Sequence, residues 1–150
     1  MYTRQQASQL RQSFWTAFGK YMSPVPDADG NKINWINYKT GVKHIFFRME
    51  VTNSTASIAI EIIHHDKAIQ QQSFRQFLAL QKMFEEIAGE GWEWEEKVTD
   101  EHGKSLARIS KMIEGVNVFS NHNWPMIISF LKPRLIALDA FWSVVRTIFE

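Results

Sequence analysis

The chain has no cysteine, which excludes disulfides, iron–sulfur clusters and thiolate zinc sites and fits a reducing, cytoplasmic setting. Long apolar runs are also missing. The start, MYTRQQASQLRQ, lacks the apolar core of a signal peptide, and the run from Met126 to Leu131 is interrupted by Ser129; no segment is expected to span a membrane. Neither sign of charge dominates. With 17 basic and 16 acidic residues and a formal net charge of +1, no global field recruits nucleic acid or anionic lipid, so any such binding has to be local. There is no Gly-x-Ser-x-Gly nucleophile elbow and no glycine-rich loop entering a helix, so serine-based catalysis and phosphate-loop chemistry have no support. The loop Ser23 to Gly30 is too short for an interdomain linker, and no repeat or low-complexity segment is present. One domain over residues 1–150 is expected.

What the chain does have is apolar and aromatic content, 45% and 13% of its 150 residues, enough for one substantial core. The clearest pattern is Lys43 to Asp66, a hairpin by period-two alternation. Ile45, Phe47, Met49 and Val51 share one face with Ile58, Ile60 and Ile62 of the return strand, around a turn at Thr52-Asn53-Ser54-Thr55. Placing Val51 opposite Ala56 buries all of them at once, and a slip by one residue would expose them. On the other face Arg48 then lies diagonal to Glu61, within reach for an ion pair.

Helical spacing of Leu10, Phe14, Trp15, Phe18, Tyr21 and Met22 predicts an amphipathic helix over Thr3 to Met22. Ile33 to Tyr38 reads as a short strand, followed by a turn at Lys39-Thr40-Gly41. Asp66 is an N-cap for a helix to about Ala88, with Phe74, Phe77, Leu78, Phe84 and Ile87 inward and Gly89 as its stop. Trp92 to Val98 and Ser105 to Ile113 predict a second hairpin, with Trp94 facing Ile109 and a turn at Asp100 to Gly103. Val116 to Phe119 reads as a further short strand. A final apolar stripe runs from Trp124 to Phe149, capped by Asn121 or Asn123. Pro133 removes the donor to the Ser129 carbonyl and is expected to split this stretch into a short helix and a longer one.

Several short motifs carry a resemblance: Ser13-Phe14-Trp15, Ile33-Asn34-Trp35, Asn37 to Val42, Phe46-Phe47-Arg48, Trp92-Glu93-Trp94, Trp124-Pro125, Lys132-Pro133 and Leu138-Asp139-Ala140-Phe141-Trp142. Together they make the chain, over almost its whole length, similar to a bacterial domain-of-unknown-function family, DUF number 4268. That resemblance implies a bacterial intracellular domain, found alone or appended to larger proteins that include nuclease-like and other DNA-defence modules. The family has no established activity, so it transfers no catalytic residue.

Glu61-Ile62-Ile63-His64-His65-Asp66 invites a metal reading, since imidazole and carboxylate are ordinary ligands. On an extended strand, however, His64 and His65 point to opposite faces, and Glu61 stands roughly 13 Å from His65 at about 3.3 Å per residue. The bland reading is a strand end and a helix cap, and neither metal nor cofactor is expected. The predicted order, helix, three strands, helix, strand, is that of the PD-(D/E)xK nuclease core, whose chemistry needs an acid and a lysine two residues on along one strand. Here Ile63 stands where the lysine is required. Glu95-Glu96-Lys97 has the spacing but lies one element too late.

Most aromatics fit the core stripes, Trp15, Trp124 and Trp142 among them, whereas Trp35 and Tyr38 lie in loop-like sequence and are expected to be exposed. With Asn34, Asn37, Lys39 and Thr40, near Arg48 and Glu61, they make the best surface candidate, set against a plain hydrogen-bonded turn before Gly41. The expected fold is therefore α+β, a mostly antiparallel sheet of two hairpins against three main helices, with a degenerate restriction-endonuclease-like core as the alternative. The expected function is a non-enzymatic accessory or interaction domain, linked to nucleic-acid or defence systems through the family alone. The alternative is a metal-dependent nuclease-like enzyme, degenerate in its site. The candidate binding residues are Trp35, Tyr38, Lys39, Arg48 and Glu61, with no catalytic residue named. A protein or nucleic acid is the partner class, and a homodimer stays open.

Overall fold

The computed structural model describes residues 2–150. Its elements are α1 (Arg4–Met22), β1 (Ile45–Val51), β2 (Thr55–Ile62), α2 (Lys67–Ala79), α3 (Gln81–Ala88), β3 (Glu93–Thr99), β4 (Ser105–Glu114) and α4 (Trp124–Phe149). The four strands form one antiparallel sheet in the order β1-β2-β4-β3. The fold is α+β as expected, with four helices on one side of the sheet rather than three.

The first hairpin has the register its alternation demands: Val51 pairs with Ala56, Met49 with Ile58, Phe47 with Ile60 and Ile45 with Ile62. The turn closes through the Thr52 amide, which donates to the Thr55 carbonyl over 2.9 Å. Ile45, Ile58, Ile60 and Ile62 are buried, as are Ala107 and Ile109 of β4 and the α4 stripe from Ile127 to Phe149 that covers them. Trp94 pairs with Ile109 across the second hairpin. Near it, the register of β3 slips between Glu95 and Val98, a bulge at the outer edge.

Helix α1 begins at a capping box, in which Thr3 and Gln6 each accept the other's backbone N–H. Phe14, Phe18 and Met22 face the core, but Tyr21 is 59% exposed and departs from the expected stripe. Asp66 caps α2 by accepting the Ala68 amide at 3.0 Å. The helix expected to reach Ala88 is broken at Leu80, whose amide reaches back to Phe77 and Leu78 carbonyls rather than a full turn. The break turns Phe84 toward Trp92, Trp94 and Phe141 and leaves Leu78 and Ile87 partly exposed, against expectation. Gly89, at φ 85° and ψ 167°, ends α3 in a conformation that essentially only glycine adopts.

Four further expectations are corrected. Residues 33–38 and 116–119 are not strands; the second segment instead donates from Val116 to the Ser54 carbonyl and from Val118 to Thr52, bracing the hairpin turn. Helix α4 runs unbroken through Pro133. Pro133 and Ser129 both lie on its exposed side, so the carbonyl that loses its donor can be hydrated and the buried stripe is undisturbed. Asn123 sits at the start of α4 but makes no side-chain cap. Its Oδ1 accepts the Asn117 amide. No helix among the described residues is long and apolar enough to cross a membrane.

Candidate functional site

Because the helices pack on one side, the other face of the sheet carries no helix, although Leu106 and Ala59 on it are buried. Residue size shapes it. The two central strands present Ser57, Ala59 and Ser110 together with the longer Glu61, Arg108 and Met112, while the outer strands carry Arg48, Glu50, Glu93 and Glu95. A low floor between long side chains makes a trough of about 470 Å³. Glu61 and Arg108 lie across it, the Arg108 Nε donating to Glu61 Oε2 at 3.0 Å, with Nη2 also at 3.0 Å. Arg48 Nε lies 3.4 Å from the other oxygen, and its guanidinium rests 4.6 Å over the Phe46 ring. The predicted Arg48–Glu61 pair is therefore present, but Arg108, which the sequence did not single out, holds the carboxylate more closely.

A second concavity, about 400 Å³, lies where the ordered segment between Met22 and Ile45 packs on α4. A connection of this length without regular structure needs anchors. The Trp35 indole donates to the Val25 carbonyl at 2.8 Å, the Trp142 indole to the Thr40 carbonyl at 2.7 Å, and the Thr40 hydroxyl to the Ile45 carbonyl at 2.7 Å. The centre of the set is Asp139, 5% exposed. One of its oxygens accepts the Tyr38 hydroxyl at 2.5 Å and the other the Ala28 amide at 2.8 Å. Burial first, and the Asp139 hydrogen bond and charge next, hold the Tyr38 phenol protonated far above its usual range.

This geometry divides the predicted surface. Trp35 is 2% exposed and belongs to the core, contrary to expectation, because its indole N–H found an acceptor in the same loop. Tyr38 is half-buried, stacked 4.7 Å from Phe47 on the helix side of the sheet. Arg48 and Glu61 project from the opposite side. Lys39 is exposed on the rim beside Arg146. Tyr38, Lys39 and Arg48 share one hollow only along the free edge of β1. Asp139 was missed as a functional residue. The available signal was a lone acid inside the apolar run Ile136 to Trp142 of a helix, where an unpaired charge would be costly and a partner is therefore implied.

The histidine motif also needs correction. Strand β2 ends at Ile62, so His64 and His65 do not alternate: their rings stack at 4.5 Å and 26°. His44 stands edge-on to His64 at 5.2 Å and bonds Ser73 through Nε2 at 2.9 Å. His64 Nδ1 accepts the Asp66 amide. Among the described residues no group of three or more His, Asp or Glu side chains is placed to hold a metal ion. The element order, helix, two strands, two helices, two strands, helix, is not that of the nuclease core considered from the sequence. Glu96 and Lys97 fall in the β3 bulge, and Glu96 lies 3.5 Å from Arg75.

A model of the family described as "Domain of unknown function (DUF4268)" matches residues 10–146. No curated protein and no solved structure matches the chain.

Proposed function

The chain belongs to the DUF4268 domain family, and on that premise we propose that it is a non-enzymatic protein-interaction module that seats a cationic polypeptide segment in the trough on the bare face of its sheet. The trough itself carries this reading. A solvent-facing sheet surface is usually polar, and here the small Ser57, Ala59 and Ser110 leave a hollow between Met112 on one side and the Glu61–Arg108 pair on the other. Around that floor Glu50, Glu61, Glu93, Glu95 and Glu114 outnumber Arg48, Arg108 and Lys111. That balance favours a basic peptide over a phosphate backbone, which needs a surplus of Lys and Arg. The non-enzymatic part rests on two carboxylates, buried Asp139 and partly buried Glu61. Asp139 already accepts from two donors and Glu61 from two guanidinium groups, an arrangement that serves as structural anchoring. A bacterial, cytoplasmic setting is part of the proposal, resting on the absence of cysteine and on the family resemblance.

The test is fluorescence anisotropy with two probes, a labelled lysine-rich peptide and a labelled DNA duplex of about 20 base pairs, at about 0.15 M salt. The peptide is expected to bind, and the double charge reversal Glu93→Lys with Glu95→Lys to weaken it by roughly tenfold or more. Tighter binding of the duplex, falling steeply with salt, would instead support the nucleic-acid reading. Equal peptide binding to both chains would remove the trough from consideration.

A further inference from the structure

The two edges of the sheet are built differently. The β3 edge is bulged and carries Glu93, Glu95, Glu96 and Lys97, features that discourage another strand from pairing there. The β1 edge has no bulge and no proline, and its sequence, Ile45-Phe46-Phe47-Arg48-Met49-Glu50-Val51, is mostly apolar. Thr52 donates to the Thr55 carbonyl and Ile63 to the His44 carbonyl, which by antiparallel alternation makes Phe46, Arg48 and Glu50 the residues bonded to β2 and aims the backbone groups of the odd-numbered residues outward. At Ile45 those groups are taken, the amide by the Val42 carbonyl at 3.2 Å and the carbonyl by the Thr40 hydroxyl at 2.7 Å. From Phe47 to Val51 no described residue meets them, and at Thr52 the turn begins. The open strip is therefore Phe47 to Val51, with Met49 at its centre.

That strip is its own complement. A two-fold axis at Met49, perpendicular to the sheet, sets a second β1 antiparallel beside the first, with Met49 opposite Met49 as a hydrogen-bonded pair and Phe47 opposite Val51 on either side. Arg48 then lies opposite the second copy's Glu50, and Glu50 opposite its Arg48, in the non-hydrogen-bonded pairs where side chains come closest. The same charges reject the neighbouring registers. Sliding one strand by two residues, the smallest slip that keeps the hydrogen bonds, puts Arg48 opposite Arg48 in one direction and Glu50 opposite Glu50 in the other. Both groups are exposed, and among the described residues Glu50 has no ion pair, while Arg48 has only the 3.4 Å contact to Glu61, which Arg108 holds more closely. On the helix side Phe47 and Met49 are only partly covered and help to wall a hollow of about 200 Å³ beside Trp15 and Ile36. The second copy's Met49, a flexible side chain suited to irregular gaps, is brought against it. Beyond Phe47, residues 36–43 and 45–48 line a hollow of about 490 Å³, where the second copy's turn at Thr52-Asn53 would lie.

We infer that the β1 edge is a homodimer interface, at which two copies pair Phe47 to Val51 antiparallel about Met49 and join their four-stranded sheets into one of eight strands. A second copy is the occupant because one strand carries both halves of the charge pattern that it reads, and the two-fold satisfies both halves at once. The helices of both copies stay on the same side, and the opposite face carries two troughs with the Arg48–Glu50 pairs between them. A strip of this length makes a small interface, so association is weak and follows protein concentration. The inference goes beyond the trough reading, since it concerns the edge of the sheet and would stand if the face bound nothing.

The experiment is sedimentation equilibrium of the full chain, with no peptide present, at about 1 to 500 µM protein. The unaltered chain is expected to pass from one copy to two as concentration rises, and amide exchange at Phe47 and Met49, read by NMR, to slow over the same range. Glu50→Arg alone sets base against base across the axis, and Arg48→Glu alone sets acid against acid, so each is expected to weaken pairing by about tenfold or more. An equimolar mixture of the two altered chains is expected to pair again, because every contact then joins a carboxylate of one chain to a guanidinium of the other. Met49→Pro removes an outward N–H at an edge position where proline is tolerated, and should leave single copies that keep their melting transition. The inference is overturned if the unaltered chain stays a single copy throughout, including the case in which an added extended peptide then protects Phe47 and Met49 and assigns the strip to a foreign strand. It is overturned as well by a dimer that neither charge reversal weakens, or by a mixture of the two altered chains that fails to pair.

Discussion

Removing the Tyr38 hydroxyl is the sharpest test of how the long segment before β1 is held. In Tyr38→Phe the ring keeps its stack on Phe47 at 4.7 Å, so packing is conserved and the loss is one hydrogen bond of 2.5 Å to a carboxylate that is 5% exposed. A bond to a charged group contributes about 1.5–3 kcal/mol, and the stranded oxygen has little access to water in compensation. Asp139→Asn keeps the shape and removes the charge. Its remaining carbonyl can still accept the Ala28 amide while its NH₂ donates to the Tyr38 oxygen, so the cost should be smaller, about 1–2 kcal/mol. In the Asn background, Tyr38→Phe then breaks only a neutral bond, about 0.5–1.5 kcal/mol, which leaves a coupling of about 1 kcal/mol between the positions. Urea unfolding of the four chains gives the cycle. With a slope of about 2 kcal/mol/M, the single Tyr38→Phe change should lower the midpoint by about 1 M, and the melting temperature by roughly 4–8 °C. A midpoint shift below about 0.3 M, or additive effects, would refute the buried charged node.

Other outcomes follow from the same geometry. Ile60 is fully buried opposite Phe47 and Ile109, so Ile60→Ala should cost about 2–5 kcal/mol by urea unfolding. A loss under about 1 kcal/mol would contradict the core described. Burial, and then the neighbouring His64, hold His44 below its ordinary pKa of 6.5. The unfolded chain therefore takes up that proton first, and the His44 contribution to stability is present above pH 6.5 and declines as pH falls through the window beneath it. Unfolding midpoints measured between about pH 8 and pH 5 should show this decline, and His44→Gln should flatten it. A curve unchanged by the substitution would remove His44 as its cause. Ionising Tyr38 is likewise easier in the unfolded chain, so stability should fall above the ordinary tyrosine value of 10. The Tyr38→Phe chain should lose that alkaline decline.

Where periodicity and burial act locally, the sequence was a sufficient guide. The first hairpin is the clearest case: its side chains repeat every two residues, so one register alone buries Ile45, Phe47, Ile58, Ile60 and Ile62 together, and no distant element could change that choice. The N-cap at Asp66, the stop at Gly89 and the Trp94–Ile109 pairing are of the same local kind. The tertiary structure decided what depends on partners far along the chain. Trp35 became core because its indole met the Val25 carbonyl under a loop whose path its local pattern does not encode. Asp139 became an anchor because Tyr38 and Ala28, about a hundred residues earlier, converge on it. Pro133 was tolerated because its side of α4 faces water. The bare trough and the open β1 edge are tertiary facts as well. A strand's alternation determines that it has two faces and two edges, but which face and which edge are covered follows only from where the helices settle.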